Sequence, residues 1–232
     1  MPNSPTSEKV IPYALLGMTA VTGLVDAVSF LSLGRVFTAN MTGNVVLLAF
    51  ATALVSGLSI ARSLTALLAF LVGATLGGRV IASATPDSQI RFAAQAFLLE
   101  MAFLLAASFC GIGYRGDLLE TSFQPFALIA LTALAMGTRN AAVRKLAIPD
   151  LTTTVLTLTI TGIGADSSLA KGNNPRLARR IESVAAMFLG AAVGAVVIHH
   201  SISAALWLAT GISAVCDAAL FRSVRTLHKL PA

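Results

Sequence analysis

Six apolar runs divide this chain, and they constrain its fold more than any other feature. They cover residues 10–33, 64–82, 92–114, 125–143, 181–199 and 202–221. A helix that spans a membrane needs about 20 apolar residues, because it rises about 1.5 Å per residue through a hydrocarbon core about 30 Å thick. The runs are continuous and do not alternate with polar residues, which excludes a transmembrane β-barrel. The sequence therefore predicts an all-α polytopic membrane protein.

Charge composition agrees with this class. Only 11% of the residues are charged, against about 25% in soluble domains, and the mean hydropathy is +0.83. The net charge of +6 would indicate a nucleic-acid partner in a soluble protein. Here the basic residues stand mostly between the apolar runs, where membrane topology accounts for them. We expect the lipid bilayer as a partner and no nucleic acid.

The chain repeats three features at an offset of 117 residues. The first half carries Ala61-Arg62, the pair Gly73 and Gly77, and the lone acid Glu100. The second half carries Ala178-Arg179, the pair Gly190 and Gly194, and Asp217. We therefore expect one membrane domain over residues 10–221, built from repeats at about 10–114 and 125–221, between a disordered polar tail (1–9) and a basic cytoplasmic tail (222–232). Glycines four residues apart favour close helix packing, here one pair in each half, or association of two copies of the chain.

Two shorter apolar runs, residues 44–57 and 151–165, occupy corresponding places in the halves. Fourteen residues cover only about 21 Å, which is short of the hydrocarbon core. If both runs are re-entrant, the chain crosses six times, and only Arg35, Arg62 and Arg115 of the 16 basic residues face outward. If both runs span, eight crossings place ten basic residues on one side and six on the other. The positive-inside rule favours six crossings with both termini cytoplasmic, and eight remain the alternative.

Six crossings have a consequence for symmetry. Each half would contain three spanning helices, so the halves would enter the membrane in opposite directions. The sequence then predicts an inverted repeat whose pseudo-twofold axis lies in the membrane plane, with a site between the halves.

A polar cluster follows the first run and is the best candidate for that site. Asp26 lies inside the apolar run, where an ionisable group usually faces a cavity or an internal partner. Asn40, Thr42 and Asn44 follow at an expected helix start, where backbone N–H groups attract polar solutes. The alternative is a helix cap and tight turn at the membrane surface, which uses the same residue types.

The second half supplies further candidates for this cavity. At an offset of 114, Asp26 corresponds to Asn140, and Arg139 stands beside it. Arg139 and Asp26 could form a charge pair between the halves; alternatively, Arg139 could extend to the membrane surface, as we expect of Arg144 and Lys145. Further candidates are Glu100, as a proton carrier, and the hydroxyl residues Thr154 and Thr157, whereas Asp217 is expected to be structural and to pair with Arg222.

Several strings of this sequence resemble one known family. They are Gly23-Leu-Val-Asp-Ala-Val-Ser-Phe-Leu31, Val36-Phe-Thr-Ala-Asn-Met-Thr-Gly-Asn44, Met136-Gly-Thr-Arg-Asn-Ala-Ala142, and Thr152-Thr-Thr-Val-Leu-Thr157 with Thr161-Gly162. The chain is similar over nearly its whole length to the YoaK-like bacterial membrane proteins, a domain-of-unknown-function family. The resemblance implies a multi-pass protein of the bacterial inner membrane, and it supplies no substrate, cofactor or catalytic residue.

Three function classes are compatible with these features. The sequence favours a small-solute transporter or channel, with a polar path for a solute or ion between the repeats. A non-transporting scaffold or regulator is the alternative, and an intramembrane enzyme is the weakest. No phosphate loop, nucleophile elbow or spaced metal-ligand motif occurs, so we expect no enzyme activity, metal or cofactor.

Overall fold

The computed structural model describes residues 5–85, 88–116, 122–148, 153 and 156–227 of the 232. Within these residues the chain forms eight α-helices, a 3-10 turn at Ser168–Ala170 and no strand. The helices are α1 (Pro5–Ser32), α2 (Met41–Thr52), α3 (Ile60–Ala82), α4 (Gln89–Cys110), α5 (Phe123–Leu146), α6 (Thr157–Ala165), α7 (Leu177–Ile198) and α8 (Ile202–Leu227). The predicted all-α fold is confirmed.

Length and composition divide these helices into two groups. Six of the described helices, all except α2 and α6, are long and apolar enough to cross a bilayer. The α2 helix has 12 residues and α6 has 9, so at about 1.5 Å per residue neither covers the hydrocarbon core. The structure therefore has six candidate spanning helices and two short ones, as the sequence predicts.

Two of the described helices begin at a side-chain cap that the sequence supplies. The Asn40 side chain accepts a hydrogen bond from the Gly43 N–H and begins α2, and Ser59 caps α3 in the same way. Two boundaries differ from the sequence expectation, because α1 reaches back to Pro5 and α8 continues to Leu227. Parts of the predicted tails are thus helical.

Contacts beyond the end of α1 show where the chain goes next. Gly34 packs against Arg62 at the start of α3. A β-carbon built on Gly57 would lie 3.4 Å from the Arg35 guanidinium. The chain therefore returns, after α2, to the end of the bundle at which α1 stops. We call this end B, and the opposite end, where α1 begins, end A.

The remaining helices connect these two ends. Tyr114, after α4, donates its hydroxyl to the Ser32 carbonyl over 3.2 Å, and Gln124, near the start of α5, donates to the Cys110 carbonyl over 2.7 Å. Both contacts place the α4–α5 connection at end B. Ile202 at the start of α8 belongs to the same apolar cluster as Tyr114, whereas Leu220 near its end packs with Ile11 at end A. The described parts of the first and last helices thus meet at end A.

Glycines bring two pairs of parallel helices into backbone contact. On α3, Gly73 lies against Leu134 of α5, and a β-carbon on Gly77 would be 2.5 Å from the Thr138 carbonyl oxygen. On α7, Gly190 lies against the backbone of α1, and Gly194 contacts it one turn later. The glycine helix of each half therefore packs on the first helix of the other half. Among the described residues, α3 and α7 do not contact each other.

The buried apolar side chains form two clusters, one towards each end of the bundle. The cluster at end B includes Leu33 and Leu104, and the cluster at end A includes Leu15 and Phe97. Glu100 lies between Phe97 and Leu104 on α4, so a polar layer separates the two clusters. This layer is the most unusual feature of the core.

Candidate functional site

A fully buried arginine is the centre of the polar layer. Arg139 of α5 has 0% exposure, and its Nη2 donates to Oε1 of Glu100 on α4, which is also 0% exposed. Burial of two opposite charges is costly unless they pair and their other polar atoms are also satisfied. The remaining contacts of the guanidinium therefore decide what this pair can do.

Two more helices supply further hydrogen bonds to Arg139. Its Nη1 donates to the Met18 carbonyl over 2.5 Å and to the Thr22 hydroxyl over 2.9 Å, both on α1. On α8, Ser213 lies 3.4 Å from Nη2 and donates to Glu100 Oε1 over 3.0 Å. The helices α1, α4, α5 and α8 thus meet at one ionic cluster.

Asp217 adds a second carboxylate to this cluster. It stands one turn after Ser213 on α8, is 2% exposed, and interacts electrostatically with Glu100 and Arg139. Neither of its oxygens has a hydrogen-bond partner among the described residues, and neither does Glu100 Oε2 or Arg139 Nε. The predicted pairing of Asp217 with Arg222 at the membrane surface is therefore wrong in this structure. Asp217 belongs to the core.

The charges of the cluster are unbalanced. Glu100 pairs with Arg139, whereas the second carboxylate, from Asp217, is buried nearby and makes no hydrogen bond to a described residue. Buried ionisable groups in membrane helices are expensive, and they mark ion pathways or proton relays far more often than lipid-facing surfaces. The cluster therefore contains one acid more than the ion pair itself requires.

The structure gives the predicted site residue Asp26 a different role. Its Oδ1 accepts the backbone N–H groups of Thr38 over 3.2 Å and Ala39 over 2.9 Å. Asn44 is buried beside the same segment, where its Oδ1 accepts the Phe37 N–H over 3.3 Å and its amide donates to the Ser63 carbonyl over 3.3 Å. These two side chains fix the connection between α1 and α2 at end B.

The other predicted residues are dispersed. Asn40 is exposed and caps α2, and Thr42 and Thr157 are exposed in the first turns of α2 and α6. Asn140 donates to the Met136 carbonyl over 2.9 Å and lines a groove between α3 and α5. Thr154 lies outside the described residues. The structure therefore does not bring Asp26 and Asn140 to one cavity.

Arg139 also differs from both sequence expectations. Its carboxylate partner is Glu100 of the first half and not Asp26, and it does not extend to the membrane surface. Arg144 and Lys145, on the following turn, are exposed as expected. The position of Arg139 near the end of α5 was misleading, because Arg139 lies on the buried face of that helix, whereas Arg144 and Lys145 do not.

Thr22 and Ser213 were not predicted as site residues, although the sequence of α4 contains a signal that its buried face has partners on other helices. On α4 the buried residues recur at spacings of three or four and include Ala93, Ala96, Glu100 and Leu104. A stripe of small residues at this period predicts a helix face that packs against other helices. Glu100 lies on that stripe, and so its partners had to come from neighbouring helices.

Metal binding has no built site here. Within residues 5–85, 88–116, 122–148, 153 and 156–227, no three His, Cys, Asp or Glu side chains form a group that could hold a metal ion.

Comparison with known proteins places the chain in a family. A family profile described as "Protein of unknown function (DUF1275)" matches residues 14–219, which include every residue named above in the ionic cluster. The chain belongs to the DUF1275 family. It is 38% identical over 156 residues to the UPF0700 transmembrane protein YoaK of Bacillus subtilis (strain 168).

The resemblance to YoaK-like membrane proteins is therefore confirmed. The alignment covers 67% of this chain and 65% of YoaK, so it spans slightly less than two thirds of that relative. No solved structure matches this DUF1275 chain. Membership, together with the six long apolar helices, establishes an integral membrane protein with several crossings.

Proposed function

We propose that this protein is a proton-coupled transporter of a small polar solute. The observation that carries the proposal is the buried cluster in which Glu100 pairs with Arg139 and a second carboxylate, Asp217, is buried nearby without a hydrogen-bond partner among the described residues. A stable ion pair needs one carboxylate, and the second gives the core a group that can gain and lose a proton. No catalytic step is part of the proposal.

The depth of the cluster supports this function. Glu100 lies midway along α4 (Gln89–Cys110), and Ser213 lies midway along the span Ile202–Ser223. Substrate and coupling-ion sites of many secondary transporters lie near the bilayer midplane, between structural repeats. A purely structural salt bridge does not need this depth, where the cost of charge is highest.

An inverted repeat is part of the proposal, and the helix contacts support it. When the two halves, α1–α4 and α5–α8, are exchanged, the packing of α3 against α5 corresponds to the packing of α7 against α1. The packing of α4 against α5 likewise corresponds to the packing of α8 against α1. Individual glycines follow the same rule, because Gly23 packs against Met187 and Ala191 of α7, and Gly137 packs against the corresponding places of α3. Such exchange is what two halves of opposite orientation would produce.

We further propose that the protein lies in the bacterial inner membrane with both termini cytoplasmic. Arg139 now belongs to the core and no longer counts as a surface charge. Six crossings then leave twelve basic residues on the side of end A and three on the side of end B. This asymmetry still favours a cytoplasmic end A under the positive-inside rule.

In the proposed cycle, Arg139 exchanges partners. With Asp217 protonated, Arg139 would pair with Glu100, as it does in the structure. Loss of the Asp217 proton would draw the guanidinium towards α8, where the Ser213 hydroxyl already lies within reach of Arg139 and donates to Glu100. Solute binding next to the cluster would be coupled to that proton because both change the same charge balance.

A membrane scaffold is the second candidate, and one observation favours it. The side chains of Asp26 and Asn40 bond to nearby backbone N–H groups and line no shared cavity with Asn140. That is the arrangement expected if the polar residues of the first half only hold the fold together.

The test is a flux measurement in proteoliposomes loaded with the pH indicator pyranine. Pools of amino acids, sugars, organic acids and nucleobases are added outside, and a solute that moves with protons changes the internal pH. Asp217→Asn removes the proton site with little change in shape, and we expect it to lower solute-driven proton flux at least about tenfold.

Asp26→Asn is the matched control, since it makes the same chemical change outside the cluster. We expect its flux to equal that of the wild type at equal folded yield. Equal flux from Asp217→Asn and the wild type would refute coupling at the cluster. Loss of flux from Asp26→Asn alone would return the site to the segment that the sequence indicated.

A further inference from the structure

A groove of about 610 Å³ opens between α3 and α5 at end A. Its walls are mostly apolar and come from both helices, and its outer end is basic. The lining includes Phe70, Ala74 and Gly78 on α3, and Arg144 and Lys145 on α5. The groove thus joins an apolar channel to two positive charges.

We propose that this groove binds one anionic phospholipid. The phosphate would lie between Arg144 and Lys145, and an acyl chain would follow Ala74 and Gly78 towards the middle of the bilayer. Asn140, also in the lining, would lie at the level of the glycerol esters. The inference does not depend on transport, because it uses neither the ionic cluster nor the connection at end B.

Charge complementarity identifies the phosphate end. Arg144 and Lys145 stand in the last turn of α5, both are exposed, and neither makes a hydrogen bond or ion pair with the described residues. None of the described residues that line the groove is acidic. Basic pockets between transmembrane helices at a membrane surface are typical sites for anionic headgroups.

The glycines of α3 explain why a chain-shaped space exists here. Gly73 and Gly77 bring α3 into backbone contact with α5, whereas a β-carbon on Gly78 would meet no atom within 4 Å. The two helices therefore touch along one line and leave an open channel beside it. A water-soluble anion would use only the basic end, but a lipid would fill both parts.

Native mass spectrometry of the detergent-solubilised protein tests the proposal. The probes are dioleoylphosphatidylglycerol, which is anionic, dioleoylphosphatidylcholine, which is zwitterionic, and the water-soluble sn-glycerol 3-phosphate. We expect one tightly held phosphatidylglycerol per chain, and at least about tenfold weaker binding of phosphatidylcholine, because each basic residue at a membrane surface attracts anionic lipid.

Two independent variants change the two parts of the groove. Arg144→Gln with Lys145→Gln removes the charges, and Gly78→Leu fills the channel without a backbone clash. Each should weaken phosphatidylglycerol binding about tenfold or more. Since Gly78 faces open space, Gly78→Leu keeps the test decisive if the charge variant folds poorly.

Matched controls separate this site from general effects of charge and size. Arg79→Gln with Arg91→Gln removes two exposed charges at the same end but outside the groove, and Gly211→Leu adds a side chain at another open glycine, on α8. Both controls should bind phosphatidylglycerol as the wild type does. Equal weakening by controls and groove variants would overturn the proposal, and so would binding of sn-glycerol 3-phosphate as tight as that of the lipid.

Discussion

Replacement of Arg139 by methionine should destabilise the protein more than any conservative change of a single carboxylate in the cluster. Methionine has a similar length and is compatible with a helix, but it donates no hydrogen bond. The change removes the donors to the Met18 carbonyl, Thr22 and Glu100 at once. Two buried carboxylates, Glu100 and Asp217, then have no cation.

The magnitude follows from which partners remain. Removal of one member of a buried ion pair typically costs about 3–5 kcal/mol, because the other charge stays buried and uncompensated. Glu100→Gln should cost less, about 1–3 kcal/mol, since its amide oxygen can still accept from Arg139 and Asp217 still balances the guanidinium. The double variant Arg139→Met with Glu100→Met should recover part of the Arg139→Met loss, because it removes both ends of the pair.

Steric trapping in bicelles measures these free energies of unfolding without leaving a bilayer environment. Two biotin labels on the folded protein admit only one streptavidin, so the binding of a second reports unfolding. A loss below about 1 kcal/mol for Arg139→Met, the size of a surface pair, would refute the reasoning. It would mean that the buried carboxylates are neutral or hydrated, and that Arg139 is not their counter-ion.

Three further predictions concern the remaining parts of the fold. Gly190→Leu should abolish the contact of α7 with α1 and lower the folded yield in membranes. Gly78→Leu enters open space and should keep the yield of the wild type. Similar yields from both variants would show that Gly190 faces lipid. Asp26→Ala should lower the melting temperature because two loop N–H groups lose their acceptor, at a cost of about 1–3 kcal/mol for each unsatisfied group, and Asp26→Asn should retain it. Single cysteines at Arg35 and Ala61, in a background without the native cysteines, should react with an impermeant maleimide from the same side of the membrane; reaction from opposite sides would establish that α2 spans.

The helices were predictable because a bilayer imposes a length. A run such as residues 181–199 must be a spanning helix, since unpaired backbone groups are not tolerated in lipid. The same rule made residues 44–57 too short to span, and the structure shortens this run further to α2. Helix ends were less certain, since α1 and α8 extend beyond the apolar runs that define them.

The partners within the site were not predictable from hydropathy. Arg139 and Glu100 are 39 residues apart in the sequence. Both α4 and α5 are apolar on most of their surface, so the pattern of polar and apolar residues does not show which face of each helix packs against the other. Asp26 misled for the opposite reason. It is close in sequence to a polar turn, and its carboxylate binds that turn through backbone N–H groups, which a sequence does not distinguish from a cavity.

The ion pair has a consequence for the order in which this protein can assemble. Glu100 and Arg139 stand on consecutive helices, α4 and α5, which form a hairpin. A hairpin can leave the translocon as a unit, so each charge can enter the lipid already neutralised by the other, at a lower cost than either would face alone. Asp217 arrives later, on α8, after the only buried guanidinium among the described residues of this layer already has a partner. Insertion of α8 is therefore the step that brings an unmatched acid into the bilayer, and it is the step that proton uptake would assist most.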